Sequence, residues 1–325
     1  MKNLGGLSQE KIVFLIAVML FVVFSFVTTG FLTPDNLLQL VRNVSTLGIL
    51  GVAMAIVVIG RGIDLAVVSV MAMAAAWVLQ LTTDGTSLGV ALLVGLVFAL
   101  IVGVINGVLV SIVEIPPLFA TLAMGTLAYG LVRLFVIELE VVYFPPAAEA
   151  MQWLGTGRVF GVIPVPVIAF LLVLIAGYLF LRKTRRGWFI YAMGDNPMTA
   201  RLTGIPVRPT VIIQYVVSAM IGYGAGLITA ASVSGMNTRV ALSNLVYDVI
   251  LVVVIGGIGL SGGRGGIRNV IVGTLLIGIL INGMTILDVQ YTAQNIIKSG
   301  LLLAAIIIDS LLNPRNEQTA QQGDI

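Results

Sequence analysis

The chain contains no histidine and no cysteine, and only 10% of its 325 residues are charged. Without those two side chains there is no His- or Cys-ligated zinc, no Ser-His-Asp triad, no thiol nucleophile and no disulfide. No other grouping of residues gives reason to expect a metal site. The shortage of charge excludes an ordinary soluble domain, in which about a quarter of residues carry one. Positive charge is only slightly in excess, with 17 Lys and Arg against 14 Asp and Glu, too little to expect a nucleic-acid partner. The lack of cysteine also removes redox state as a guide to compartment.

What remains is apolar: 59% of residues are hydrophobic and the mean hydropathy is +1.12. A membrane helix needs about 20 mainly apolar residues. On that measure the spans are 12–32, 44–59, 65–81, 88–113, 117–137, 162–181, 211–231, 245–260, 267–287 and 296–312, of which 44–59, 65–81, 245–260 and 267–287 are short, Gly-rich or flanked by polar residues. The expected fold is therefore an all-α polytopic membrane protein of about ten transmembrane helices, with lipid as its surroundings. Residues 1–325 form one transmembrane domain, with a cytoplasmic start at 1–11, a cytoplasmic loop at 182–210 and a cytoplasmic tail at 313–325. The first span follows Lys2 and Lys11 and lacks a small-residue cleavage site, so it reads as a retained anchor.

Orientation follows from Lys and Arg, which favour the inner face. With the N-terminus inside, Lys2, Lys11, Arg61, Arg182, Lys183, Arg185, Arg186, Arg201, Arg208, Arg264, Arg268 and Arg315 lie inside, 12 of the 17. Arg42, Arg133, Arg158, Arg239 and Lys298 lie outside. The outer loop 138–161 is acidic, with Glu138, Glu140 and Glu149, whereas 182–210 carries six basic residues. The two faces therefore suit different partners.

Glycine is plentiful, 37 in all, and many lie within spans, as at Gly103, Gly107, Gly222 and Gly226. In lipid such residues let helix backbones approach closely. Gly257-Ile258-Gly259-Leu260-Ser261-Gly262 satisfies the dinucleotide pattern G-x-G-x-x-G, but it closes a membrane span with no βαβ unit around it. It reads better as the entry to a tight turn through Gly262, Gly263 and Gly265. Ionisable residues near span ends, among them Asp64, Asp248, Asp288 and Asp309, have simple helix-end roles, and Asp64 can cap its helix. Uncharged polar residues are more numerous: Gln39, Asn43 and Thr46 recur at helical spacing, joined by Asn106, Thr121 and Asn282. They can line a path for a polar, uncharged solute or bond neighbouring helices.

The loop 182–210 is the most informative stretch. After five polar and basic residues at 182–186 it runs through Gly187 and Gly194 to Asp195-Asn196-Pro197-Met198-Thr199-Ala200-Arg201-Leu202-Thr203-Gly204. Asp195 or Asn196 can cap a two-turn helix with Pro197 at its first position, and Gly204 can end it. A short capped helix carrying Met198 and Leu202 beside Arg201 has the form of a docking element.

These segments resemble a known family. Gly62-Ile63-Asp64-Leu65-Ala66-Val67-Val68-Ser69 is similar to G-G-I-D-L-S-V-G-S, 187–204 to the loop G-x-x-I-Y-A-x-G-x-N-x-x-A-A-x-L-x-G-I, and 256–265 to the turn G-G-x-S-L-x-G-G-x-G. They occur, in that order, in the permease subunit of ribose-type ABC importers, which carry sugars or the autoinducer-2 signal; the likeness runs from about Asn36 to Asp309. Arg61, Ala66, Val68 and Met198-Thr199 depart from the pattern. The resemblance implies a type II-importer-like permease of the bacterial inner membrane, without catalytic residues or cofactor of its own, serving a small neutral sugar-like solute. It also implies two permease chains, identical or related, enclosing the pathway. ATPase subunits holding ATP and Mg would dock inside on Gly187, Gly194, Asn196, Ala200, Arg201, Leu202 and Gly204. A periplasmic or lipid-anchored binding protein would deliver solute outside. No G-x-x-x-x-G-K-[ST] occurs, so any ATPase is expected on another chain. The competing expectation is a stand-alone secondary carrier or channel; a membrane enzyme ranks below both, since His and Cys are missing.

Overall fold

Apolar stretches bounded by Pro, Gly and charge become helices because in lipid every backbone group must bond within its own segment. The computed structural model describes residues 9–312, with side chains to residue 310, so Lys2, Arg315 and the expected tail 313–325 lie outside the described residues. The first five helices are α1 (Gln9–Val27), α2 (Pro34–Ile59), α3 (Val67–Thr83), α4 (Leu88–Ser111) and α5 (Pro117–Phe135). Then come β1 (Val141–Tyr143), α6 (Glu149–Thr156), β2 (Arg158–Val159), β3 (Ile163–Pro164), α7 (Val165–Lys183), α8 (Arg185–Asp195) and α9 (Pro197–Leu202). The described residues end with α10 (Val207–Ser232), β4 (Gly235–Asn237), α11 (Leu245–Ile255), α12 (Ile267–Ile286) and α13 (Tyr291–Leu312).

Eight of these helices are long and apolar enough to cross a membrane, and α3 and α11 are shorter apolar helices. With 11 residues α11 is about 16 Å long, roughly half the hydrocarbon thickness. It is flanked by the 3-10 turn Thr238–Leu242 before it and by the Gly-rich turn after it. The stretch expected as a span at 44–59 begins ten residues earlier, at Pro34, which supplies a preset φ at the first turn. Asn36, Gln39, Arg42 and Asn43 interrupt its hydropathy; Asn36 has a partner on another helix, and Gln39 and Asn43 bond each other along α2, as described below. The loops at 138–161 and 182–210 also hold more structure than expected. The first of these contains β1, α6 and β2, and β1 pairs antiparallel with β4, Val142 opposite Met236.

The core lies around α2 and α3, whose residues Leu47–Ile59 and Val67–Leu79 are almost wholly buried, and α10 packs between them and α4. Small residues permit this. A Cβ on Gly107 of α4 would sit 2.5 Å from the Ile212 Cα of α10, and one on Gly226 of α10 would sit 2.1 Å from the Met71 carbonyl oxygen of α3. Gly103-x-x-x-Gly107 and Gly222-x-x-x-Gly226 are thus the two close-approach stripes of α4 and α10. Gly107→Leu must push backbone from backbone; we expect a loss of about 3 kcal/mol, read as a fall of several degrees in the unfolding midpoint in detergent. An unchanged midpoint would show that α4 and α10 do not meet there.

Candidate functional site

At the end that the basic residues assign to the cytoplasm, three turns meet. Helix α8 is started by Thr184, whose Oγ1 accepts from the Gly187 amide at 3.1 Å, and α9 by Asn196, whose Oδ1 accepts from the Thr199 amide at 3.0 Å. Pro197 occupies the first position of α9, and Gly204 follows its end with φ of +81°. Helix α8, absent from the sequence expectation, is held down where Gly187 lies on the end of α7 and Gly194 on the end of α2. A Cβ on Gly194 would be 1.9 Å from the Ile59 carbonyl oxygen and 2.5 Å from the Gly263 amide nitrogen. The Gly263 amide donates to that same Ile59 oxygen at 2.8 Å, and the Tyr191 hydroxyl donates to the Gly265 carbonyl at 2.9 Å. Burial raises the Tyr191 phenol above its ordinary value against the pull of the Arg182 guanidinium, so at neutral pH it keeps the proton it donates.

The Gly-rich turn is therefore a contact hub. Gly257, Gly262, Gly263 and Gly265 all have positive φ. Asn269 donates to the Gly256 carbonyl at 2.7 Å, and Asp309 of α13 accepts from the Leu260 amide at 3.3 Å. Helix α8 thus touches the end of α2 and the Gly-rich turn that joins α11 to α12.

The residues grouped as ATPase-coupling fall into two sets. Gly187, Gly194 and Ala200 are buried against the chain's own helices, Ala200 in a cluster with Val57, Met193 and Tyr215. Arg201 and Gly204 are exposed, and Leu202 is 82% exposed, with Met198 and Trp188 also bare. Asn196, half-buried, belongs to neither set and caps α9; the second set is the one open to solvent.

The polar residues of the spans do not converge on one cavity. Asp64 is buried, its carboxylate accepting from the Ser218 hydroxyl at 2.7 Å and the Ala66 amide at 3.1 Å, so it pins the break between α2 and α3 to α10. Thr121 of α5 accepts from the Leu65 amide at 3.0 Å in the same break. Asn282 and Asn36 exchange two hydrogen bonds, at 2.9 and 3.1 Å, and clasp α12 to α2. These polar residues bond neighbouring helices. Gln39 and Asn43 are exposed on α2 and bonded to each other at 3.1 Å, with Thr46 half-buried one turn further on. Asn106 is buried, and its Oδ1 has no hydrogen-bond partner among the described residues.

One pair was not anticipated. Lys298 of α13, counted on sequence as an outer-face cation, donates to the Asp248 carboxylate of α11 at 2.9 Å, and both are less than a tenth exposed. The signal in the sequence was Asn295, Lys298 and Ser299 at helical spacing within an otherwise apolar helix.

Apolar helices around a buried core, polar pairs between them and a helical element projecting at one end define a multi-pass membrane permease. Residues 36–308 match the family described as branched-chain amino acid transport system / permease component. The chain is 32% identical over 305 residues to the ribose import permease protein of Escherichia coli K12, covering 94% of each. It is 30% identical over 314 residues to the ribose import permease protein of Haemophilus influenzae, covering 96% of this chain and 97% of that one. Over 273 residues it is 33% identical to the galactofuranose transporter permease protein of Escherichia coli K12, covering 84% and 79%. The chain belongs to this family of permease components of ABC importers, whose subunits are not themselves catalytic. No solved structure matches it.

Proposed function

We propose that the chain forms the translocation pathway of an ABC importer for a small neutral sugar-like solute, as a pair of permease chains in a bacterial inner membrane with both termini inside. ATP and Mg belong to separate ATPase subunits, which dock on the exposed tip of α9, and a binding protein meets the opposite face. The observation that carries this is the run of contacts from α9, whose Ala200 packs with Met193 of α8, through Gly194 to Ile59 at the end of α2 and Gly263 in the Gly-rich turn. It supplies a rigid route by which a force applied outside the membrane shifts helices within it. The relatives' names, ribose import, galactofuranose transport and D-allose transport, support the solute class.

Vesicles reconstituted with the chain, its ATPase and its binding protein test the reading. The expected result is uptake of D-ribose or D-allose that requires ATP and all three components. Uptake by this chain alone, driven by a solute or ion gradient, would replace the reading with a stand-alone carrier.

A further inference from the structure

A groove of about 320 Å³ runs between α11 and α13, toward the end that the charge bias places outside. It lies at the small end of the range typical of ligand sites, roughly 300–1,000 Å³. Its walls present Asn244, Tyr247 and Asp248 from α11 and Asn295, Lys298 and Ser299 from α13. Lys298 is the eighth residue of α13, so the pair it makes with Asp248 lies about 10 Å below the first residue of that helix. The side of α13 turned away from the groove is apolar and bare, with Ile297 42% and Ile308 53% exposed.

A helix in lipid turns its apolar face outward and its polar face toward protein or water. The ion pair alone is accounted for as a strut between α11 and α13. It does not account for the rest of the groove. Ser299 is exposed on the same face, and the Asn295 Oδ1 is shielded from solvent with no hydrogen-bond partner among the described residues. A buried amide oxygen without a partner is expensive to keep unless a ligand or water satisfies it. The groove also carries no net charge, since Lys298 and Asp248 cancel, while offering several donors and acceptors. The rest of the lining is apolar, Leu251 of α11 with Leu302, Leu303 and Ile306 of α13, so the groove offers hydrogen-bond partners to the hydroxyls of a neutral polyol and an apolar wall to its carbons, and gives no counter-charge to an anionic or cationic solute.

The geometry points to the α11/α13 groove as a water-filled section of the solute pathway, in which Asn295 and Ser299, flanked by the neutralised Lys298–Asp248 pair, contact a neutral polyhydroxylated solute. This rests on the permease reading above. The natural absence of cysteine makes the test direct, because a single introduced thiol is the only one in the chain. Asn295→Cys and Ser299→Cys are made in the complete importer, with Leu93→Cys as control. Leu93 is exposed on apolar α4, about 8 Å from the first residue of that helix. Vesicles are treated from outside with a membrane-impermeant thiol reagent, with and without trapping by ATP and vanadate. The groove thiols are expected to react at least about tenfold faster than the control, because a thiol in water ionises to the reactive thiolate and one in lipid does not. Trapping should change their rate several-fold and leave the control unchanged, and the sugar that the importer takes up should slow it. Reaction no faster than at Leu93→Cys would overturn the inference, the groove then being covered by lipid or by a second chain. So would a rate indifferent to trapping, or to a sugar that is taken up. If the unmodified importer takes up neither D-ribose nor D-allose, the sugar reading fails on that result, and labelling and trapping still decide whether the groove belongs to the pathway.

Discussion

Leu202→Asp is expected to abolish ATP-driven uptake while leaving insertion and unfolding temperature unchanged. Leu202 is 82% exposed at the end of α9 and touches none of the packed core, so its removal leaves no cavity. At a docked interface the same position would bury an unpaired carboxylate. That costs roughly 3 kcal/mol, a loss of about a hundredfold in docking affinity. The measurement is pull-down of the ATPase together with stimulation of its hydrolysis by solute-loaded binding protein. Normal stimulation by the variant would move the docking surface away from α9. The companion change Ala200→Asp distinguishes docking from folding. Ala200 is buried beside Val57 and Tyr215, so a carboxylate there should lower stability as well as coupling.

The second large effect is at the buried ion pair. Lys298→Met should leave the Asp248 carboxylate without its cation in a site less than a tenth exposed, at a cost of about 3–5 kcal/mol. The expected readout is poor accumulation in the membrane and an early unfolding transition in detergent. Combining Asp248→Asn with Lys298→Gln removes both charges and keeps polar groups within hydrogen-bonding reach. The double variant should therefore recover most of the loss, since the penalty comes chiefly from the unpaired charge. If the single and double variants are equally unstable, the damage lies in packing along α11 and α13 and not in electrostatics.

Much of this architecture was legible before folding because the bilayer imposes few solutions. A run of apolar residues must become a helix, and the caps of α9 follow from local chemistry: an Asn side chain bonds an amide three residues on, a proline fits the first turn, and a glycine accepts positive φ. The turn glycines at 257, 262, 263 and 265 were equally readable, since each takes a φ between +72° and +100°. Helix α8 escaped notice because its single covered side is supplied by α7, α2 and the Gly-rich turn. Its own residues, Arg185 through Asp195, show no membrane-length apolar run.

The polar residues of the spans mark the boundary most clearly. By itself the sequence determined that the chain is a bundle of membrane helices with a basic, capped short helix between two of them. It did so because hydropathy, caps and positive charge act over a few residues at a time. Only the tertiary structure decided what Asn282, Thr121, Asp64 and Lys298 do. Each finds its partner on a distant segment: Asn36 across 246 residues, Leu65 across 56, Ser218 across 154 and Asp248 across 50. No local pattern encodes such a pairing. It appears when close approach through Gly107 and Gly226 brings α4, α10 and α3 together, and when α13 settles on α11 with one polar face turned into the groove.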